Sequence, residues 1–383
     1  MWRKKHDRLG ERSMSLPNTI GTSFAFTSFG ESHGRCVGVV IDGCLTGLEL
    51  SEADVQRLLD LRKPGQSIVA TQRAEQDRVE FLSGIFNGKT TGAPICMLIW
   101  NSDQRSTDYE KFVNVPRPGH ADYPALVKYA RMNDYRGGGR FSGRITAGFT
   151  MAGAVALKLL QDTLGIRVFA YTLEIGGIRA DVSKLSTEDI ISKRYSNEVR
   201  CPDQSAAEAM KKKIVEERGN GDSLGGMVEC VALNLPVGIG EPVFSSLESE
   251  ISRSIFSIPA VKGIEFGSGF AGTKSKGSEN NDVYVKMENG RIVTKTNNSG
   301  GILGGLSTGM PLLFRVAFKP ASSIATSQDT LDISTMNETK LVVPGRHDPT
   351  VVPRGVPVVE SMAACVLADL AIKGCFIPRV LKK

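Results

Sequence analysis

One segment constrains this chain more than any other: a basic, glycine-rich stretch around a single histidine that leads directly into an apolar helix pattern. Within residues 115–148, His120 follows a Pro-Gly turn, and basic side chains flank the triplet Gly137–Gly139. Glycine allows positive φ and lets backbone N–H groups approach a ligand closely. A helix starting near Ile145 would add the positive end of its dipole at the same place. The segment therefore predicts an anion site.

The same stretch also fits a simpler structure, in which the glycines form a turn and the arginines are solvated at the surface. Two further features favour a ligand site. Pro118 and Gly119 place a turn directly before the histidine, and apolar patterning resumes immediately after Arg144. We keep a phosphate or carboxylate site as the hypothesis, with the surface turn as its alternative.

Composition narrows the kind of ligand. The chain has 383 residues, 41% of them hydrophobic, which predicts either one large domain or two closely packed ones with a substantial core. A net charge of +6 and an aromatic content of 7% argue against a nucleic-acid surface with stacking platforms. Small anionic substrates fit this modest positive charge and low aromatic content better than a nucleic acid does.

Cysteine usage and hydropathy indicate the compartment. The seven cysteines are widely spaced and never form a C-x-x-C pair, which favours a reducing compartment over disulfides or structural zinc. No continuous run of about 18 apolar residues occurs, so we expect no membrane span. Residues 1–14 are basic, lack the apolar core of a secretory signal, and are predicted to be a disordered extension.

The first half of the chain shows clear element boundaries. Residues 15–34 and 36–43 predict two strands, the first ending on Gly30. A helix should follow Ser51, because Asp54 stands at the capping-box position. Two strand-like stretches flank Asn87-Gly88, which predicts a hairpin turn. The apolar helix after the glycine triplet should extend to Leu164.

The second half predicts a strand after Gly165, irregular structure over 181–205, a helix over 205–218 and a strand over 225–237. A second capped helix is expected from Ser245, with Glu248 at the capping-box position, to about Ile258. Residues 272–282 are expected to form a mobile polar loop. The loop 345–349 again precedes an apolar helix, so the glycine-and-basic loop before a helix occurs twice and suggests a duplicated architecture.

Three of the four histidines lie in polar loops that contain glycine: His33, His120 and His347. Histidine transfers protons near neutral pH, so a shared acid–base site is predicted, although each alone also fits a structural role. Metal binding is not expected, because only His120 has a second ligand nearby, Asp122. A Ser32–His33 nucleophile pair is also disfavoured, since adjacent side chains generally point apart. The hypothesis left after these alternatives is acid–base chemistry on a phosphorylated small molecule.

Seven motifs together resemble, in order, those of the chorismate synthase family. They are PNTIGTSFAFTSFGESHG, RKPGQS, RPGHADY, DYRGGGR, NNSGGILGG, KPASS and GRHDP, and they extend from about Leu16 to about Lys373. The resemblance implies a lyase that uses reduced FMN and removes phosphate from 5-enolpyruvylshikimate 3-phosphate by 1,4-anti elimination, giving chorismate without net redox change. This reaction belongs to the shikimate pathway of aromatic amino acid biosynthesis.

The resemblance also implies the architecture. The expected fold is of the α/β (α+β) class, a sandwich of antiparallel sheets around central helices, with residues 15–383 forming a single catalytic domain. Members of the family are typically cytoplasmic homotetramers, which implies the same for this chain. Whether it reduces its own flavin with NADPH or depends on a separate flavin reductase stays open.

Residue roles follow by matching motif positions. His33 would be the acid that assists phosphate departure, and His120 would face the reduced flavin and stabilise its charge. Asp348 would assist proton removal near flavin N5, with Ser32 as a relay. Arg62, Lys63 and Arg144 would bind substrate phosphate or a nicotinamide nucleotide. The flavin contacts would be Arg140, Phe141, Ser142, Pro259, Ala260, Gly304, Lys319, Pro320, Ala321, Ser322, Ser323 and Arg346.

Several positions depart from the family pattern. Ile68 replaces a basic residue, which weakens the nicotinamide assignment. Phe141 cannot supply the usual hydroxyl, Gly143 and Ile145 change its surroundings, and Thr350 replaces a cysteine. A flavin- or anion-binding module without catalysis is therefore the alternative to the lyase, and an RNA-binding role ranks third.

Overall fold

The computed structural model describes residues 16–63, 65, 76–102, 106–343 and 348–381, and builds two five-stranded antiparallel sheets with helices between them. This arrangement confirms the expected α+β sandwich. The described residues include eight α-helices: α1 (Glu52–Arg62), α2 (Asp122–Lys128), α3 (Thr146–Leu164), α4 (Thr187–Lys193), α5 (Gln204–Gly219), α6 (Leu247–Ile255), α7 (Gly277–Asn280) and α8 (Val352–Lys373).

The strands of the described residues are β1 (Thr19–Ile20), β2 (Ala25–Gly30), β3 (Cys36–Asp42), β4 (Glu80–Ser83), β5 (Ile85–Phe86), β6 (Lys89–Thr90), β7 (Ile95–Trp100), β8 (Arg167–Ile175), β9 (Ile178–Arg179), β10 (Gly226–Leu233), β11 (Val261–Phe266), β12 (Tyr284–Lys286), β13 (Ile292–Thr294), β14 (Ile302–Leu303), β15 (Leu306–Ser307), β16 (Leu312–Phe318), β17 (Gln328–Asp332) and β18 (Asn337–Leu341).

The two large sheets differ in strand order. The first runs β1-β2-β3-β7-β4 and the second β11-β16-β10-β8-β9, and every pairing within them is antiparallel. Strand β3 pairs Val39 with Ser28 on one side and with Met97 on the other, and Val39 is fully buried. Such a central strand reads as a nearly continuous apolar run because both of its faces are covered.

Helices α3 and α8 form the centre of the molecule. Helix α3 packs on the first sheet, α8 packs on the second, and the two helices contact each other extensively. Each follows one of the glycine-and-basic loops noted in the sequence. Helix α8 is long and apolar enough to cross a membrane, but 94% of its most apolar window is buried inside the fold. It is therefore placed as a core helix.

The contact between α3 and α8 depends on one glycine. A Cβ added to Gly153 would overlap the Cα and Cβ atoms of Ser361 in α8. We expect Gly153→Ala to lower the free energy of unfolding by about 1–3 kcal/mol, because overpacking forces the helices apart. Gly219→Ala, at an uncrowded position in α5, is the control. Urea unfolding measures both, and equal midpoints would contradict the close contact.

Local sequence signals placed several elements correctly. Ser51 caps α1, and its backbone N–H donates to Asp54 Oδ2 at 2.9 Å, as the capping box requires. Asn87 and Gly88 both adopt positive φ, 49° and 73°, in the hairpin between β5 and β6. A two-residue turn with both residues in this region matches the twist of the flanking strands.

Three predictions of secondary structure were wrong. Residues 181–205 are not wholly irregular, because Ser186 and Asp189 form a capping box that starts α4. Helix α6 is capped by Ser246 rather than Ser245, whose carbonyl oxygen instead accepts from Glu241 N at 3.0 Å. The polar stretch 272–282 contains helical turns, including α7. The predicted extension 1–14 lies outside the described residues.

Candidate active site

A cavity of about 660 Å³ opens where segments from both halves of the chain meet. Its walls come from the loop after β2, the end of α1, the segment 117–121, the glycine loop before α3, the segment 256–262, the end of β16 and the start of α8. Volumes of this size hold small-molecule ligands in other proteins. Most of the residues predicted from the sequence line it.

The residues brought together include all four predicted catalytic positions. The predicted residues that line the cavity are Ser32, His33, Arg62, His120, Arg140, Phe141, Ser142, Arg144, Pro259, Ala260, Lys319, Pro320, Ala321, Ser322, Ser323 and Asp348. Lys63 and Gly304 do not line it: Lys63 is ion-paired with Asp60, and Gly304 is in the exposed turn between β14 and β15. Arg346, His347 and Ile68 lie outside the described residues.

The glycine triplet passes directly between the two cavity histidines. Gly137, Gly138 and Gly139 all have positive φ. A Cβ at Gly137 would overlap His33 Nδ1, and one at Gly138 would stand 3.3 Å from His120 Nε2. The triplet is thus a turn, as in the alternative interpretation, and it also lies against the side chains of two histidines that line the cavity.

His33 is held in a buried position. Its ring is 4% exposed and meets the edge of Tyr109, with ring centroids 5.0 Å apart. Ser32 Oγ lies 3.3 Å from His33 Nδ1, so the expectation that these adjacent side chains point apart was wrong. The reason is that the chain leaves β2 in a turn, closed by Gly34 N donating to Glu31 O, instead of continuing as a strand.

His120 belongs to a network with a carboxylate and an arginine. Its Nδ1 lies 2.6 Å from Asp122 Oδ1, while Arg117 donates to both Asp122 oxygens at 2.8 Å. Burial would raise the pKa of Asp122, but the hydrogen bonds from Arg117 and His120 outweigh it and hold that pKa well below its usual range. A carboxylate at Nδ1 fixes the ring orientation and leaves Nε2 for other contacts.

The ionised state of Asp122 gives a pH prediction. A lowered folded pKa stabilises the protein above the ordinary carboxyl value of about 4, and this stability is lost as the pH falls through the folded pKa. We expect Asp122→Asn to cost about 3 kcal/mol at pH 7, because buried Arg117 loses its partner, and progressively less below about pH 4. Urea unfolding of the wild type and the variant, at pH 7 and again below about pH 4, measures how the cost in stability changes with pH. Asp329→Asn, at an exposed pair, is the control; a cost for Asp122→Asn that does not change with pH would contradict the ion pair.

The KPASS segment is fastened to the histidine loop. Ser322 Oγ donates to Gly119 O at 2.8 Å and accepts from Lys319 Nζ at 2.5 Å, and Arg117 Nη1 donates to Ser323 Oγ at 3.1 Å. Burial, with a contribution from nearby Lys262, lowers the pKa of Lys319. A bound anion would offset both the burial of Lys319 and its repulsion from Lys262, since it would give the ammonium group a partner of opposite charge.

The lining is strongly cationic. Among the described residues, seven arginine or lysine side chains and one aspartate line the cavity. Arg62 and Arg144 share the buried carboxylate of Asp77, with Arg62 Nη1 3.0 Å from Asp77 Oδ2. Asp348 accepts from Arg354 Nη1 at 2.5 Å. Because the cations outnumber their acidic partners, the cavity presents a positive field suited to a phosphate or carboxylate.

Sequence reasoning missed three of these residues. Asp77 stands in a mixed-charge stretch of a kind typical of solvated loops, yet it is 3% exposed, whereas the adjacent Arg78 is exposed. Arg354 and Lys262 carry no motif of their own. Arg354 could have been found from its place in the first turn of an apolar helix, six residues after Asp348. No motif or pattern in the sequence around Asp77 indicates that this residue is buried.

Three of the departures from the family pattern line the cavity: Phe141, Gly143 and Ile145. Phe141 presents a ring, 37% exposed, 6.4 Å from that of Tyr129. Gly143 contributes its carbonyl oxygen to Arg62 Nη2 at 2.9 Å. Ile145 is buried, and Thr350 Oγ1 accepts from Val352 N at 3.4 Å at the start of α8. Gly143 and Thr350 thus act as hydrogen-bond acceptors in the loops that lead into α3 and α8.

Metal ligation was not expected from the sequence. Over the described ranges, no group of three or more His, Cys, Asp or Glu side chains is placed to hold a metal ion. The seven cysteines are free thiols.

Comparisons with known proteins agree on one family. A family model described as chorismate synthase matches residues 24–372. Proteins named chorismate synthase from Dehalococcoides mccartyi and Korarchaeum cryptofilum are 53% and 54% identical to this chain. The matches cover 96% and 91% of this chain and 100% and 96% of those relatives. A solved structure described as the crystal structure of chorismate synthase has a TM-score of 0.72 at 29% identity, covering 93% of each chain.

Proposed function

The chain belongs to the chorismate synthase family, whose members are carbon–oxygen lyases of the shikimate pathway, and we propose that the cationic cavity is its active site. There it converts 5-enolpyruvylshikimate 3-phosphate to chorismate and phosphate. The observation that carries the assignment of residues is the convergence of His33, His120 and Asp348, from three distant segments, on one cavity.

The cavity fits a reduced flavin together with a phosphorylated substrate. The lining includes apolar residues, among them Ile258, Pro259 and Val358, which suit the faces of a ring system. The KPASS segment and the glycine loop supply lysine, hydroxyl and backbone groups that suit a cofactor phosphate. We infer that the cofactor is FMN. When bound, the reduced flavin supplies electron density that lowers the barrier to cleaving the carbon–oxygen bond.

His33 would donate the proton that the departing phosphate oxygen requires. Ser32 Oγ, 3.3 Å from His33 Nδ1, would relay that proton or orient the ring. The buried position excludes water from this transfer, which strengthens the electrostatic interactions of the leaving group. The bond broken is the one between the ring carbon and the phosphate oxygen, and the phosphate departs with the electron pair.

His120 would stabilise negative charge on the cofactor, with Asp122 and Arg117 holding its ring in place. Asp348 would accept the proton lost from the substrate ring. Arg354 Nη1 donates to Asp348 Oδ2 and would orient the carboxyl group for this role. One proton is lost and one C–O bond is broken, so the elimination balances without net oxidation.

We further infer a homotetramer in the cytoplasm. Free thiols at all seven cysteines suit a reducing compartment. The flavin would be reduced either by NADPH on this chain or by a separate flavin reductase, and Ile68 in place of a basic residue favours the second route. Light scattering of the purified protein measures the oligomer.

One anaerobic experiment tests the function. The protein is given substrate with chemically reduced FMN, with oxidised FMN, or with oxidised FMN plus NADPH. We expect chorismate in the first reaction and none in the second. The third shows whether the chain reduces its own flavin. Absence of chorismate with reduced FMN would overturn the proposed activity.

A further inference from the structure

Two backbone carbonyl groups behind the cavity lack their usual helical donors. In α8, the carbonyl of Pro353 would normally accept from the N–H of residue 357, but that residue is Pro357 and has none. In α1, the carbonyl of Leu61 lies in the last turn, where no later helical N–H is available. Buried carbonyls of this kind need a donor from elsewhere.

Arg200 supplies both donors. Its Nη1 donates to Pro353 O at 2.5 Å, and its Nη2 donates to Leu61 O. The side chain is buried and lies over the ring of Tyr195 at 5.4 Å, and burial lowers the pKa of Arg200 to about 10. Its backbone is fixed to the second sheet, because Arg200 O accepts from Thr172 N at 3.0 Å. The guanidinium of Arg200 therefore joins α1 to α8, and its backbone carbonyl joins both to β8.

The residue that follows each of these carbonyls is a cavity arginine. Arg62 follows Leu61, and Arg354 follows Pro353; both line the cavity. Arg354 Nε donates to Arg62 O at 3.2 Å, and Arg354 Nη1 holds Asp348. A displacement of either helix end would therefore shift two cationic groups and the proposed base together.

We propose that Arg200 is a positioning residue: by bridging the carbonyls of Leu61 and Pro353, it sets the separation of Arg62 and Arg354 and thereby the affinity of the cavity for phosphate. This rests on the proposed function of that cavity. The role requires the planar fork of arginine, because the single ammonium of lysine does not present two diverging donors in a fixed plane. A positive charge at residue 200 without this geometry does not fill the role.

Three variants test the proposal, with inorganic phosphate as the probe in equilibrium binding to the full chain. Arg200→Lys keeps the charge and removes the fork, whereas Arg200→Met removes both. We expect each to weaken phosphate binding about 10-fold, the scale on which loss of an outer-shell partner acts. Arg194→Lys is the matched control, because Arg194 also lies over the ring of Tyr195 but contacts Glu360 and Ala170 instead of Leu61 and Pro353.

A rescue experiment separates positioning from general destabilisation. Pro357→Ala gives residue 357 an N–H that can donate to Pro353 O. In the Arg200→Lys background we expect it to raise the urea-unfolding midpoint but to leave phosphate binding about 10-fold weakened, because a hydrogen bond within α8 satisfies Pro353 O without joining α8 to Leu61 of α1. Recovery of phosphate affinity in this double variant would show that the loss came from the unsatisfied carbonyl of Pro353, and it would overturn the positioning role.

The outcomes are distinct. Wild-type affinity in Arg200→Lys, or an equal loss in Arg194→Lys, overturns the positioning role. Phosphate binding by the wild type without chorismate formation would count against the catalytic assignments and leave the positioning role supported by the binding series.

Discussion

Chorismate formation is expected to slow by about 10²- to 10⁴-fold when His120 is replaced by Ala, the range in which a positioned acid–base or charge-stabilising group contributes. The variant removes the ring that Asp122 orients at 2.6 Å and leaves Arg117 paired with Asp122. The fold should therefore persist. Anaerobic steady-state kinetics with reduced FMN measures kcat, and flavin fluorescence measures binding.

The control for this variant lies one residue beyond Asp122 on the same helix. Tyr123 is 55% exposed, so Tyr123→Ala should change kcat less than two-fold. A binding module without catalysis would keep its flavin or phosphate affinity in the His120 variant and show no turnover in the wild type. Full turnover by His120→Ala would refute the assignment of this histidine.

Gly137→Ala should have an effect of similar size through a different cause. The added Cβ would overlap His33 Nδ1 and would stand 2.8 Å from Ser32 Oγ. Either His33 or the glycine loop must move, and a displacement of about 1 Å at a reacting group can cost about 10²-fold in rate. We expect kcat to fall by at least about that factor.

A substitution at a second glycine measures the effect of backbone strain without any contact with His33. Gly177 also has positive φ, 81°, but nothing lies within 4 Å of an added Cβ, and it is in the hairpin between β8 and β9. Gly177→Ala should cost about 1 kcal/mol of stability and leave kcat unchanged. If Gly137→Ala behaves the same way, the contact with His33 does not matter for the reaction.

The elements that sequence predicted well are those whose signals are local. The capping box at Ser51 and the Asn87-Gly88 turn depend on residues within four positions of each other, and both are present. The cap of α6 moved by one residue because the Ser246 side chain accepts from Ser249 N, while the carbonyl of Ser245 accepts from Glu241 N in the preceding turn. Helix α4 is only two turns long, and its polar composition concealed it.

Within the site, motif positions placed most lining residues, but not the charges that organise them. Asp77 is buried by Arg62 and Arg144, which lie 15 residues before it and 67 after it, so no sequence window contains the group. Arg200 is in a similar position, since its partners are carbonyls made deficient by a proline and by a helix end elsewhere. The roles of the catalytic residues stay predictions until the variants are measured.

One feature of the core bears on how the protein reaches its native state. Asp369 of α8 accepts the backbone N–H groups of Thr22, Ser23 and Phe24, which precede it by about 345 residues. Closing so long a loop is entropically costly, and we expect contacts this distant in sequence to form late in folding. Until then the apolar surface of α8 is exposed to self-association. Refolding from urea should therefore be slow, concentration-sensitive and helped by a chaperone.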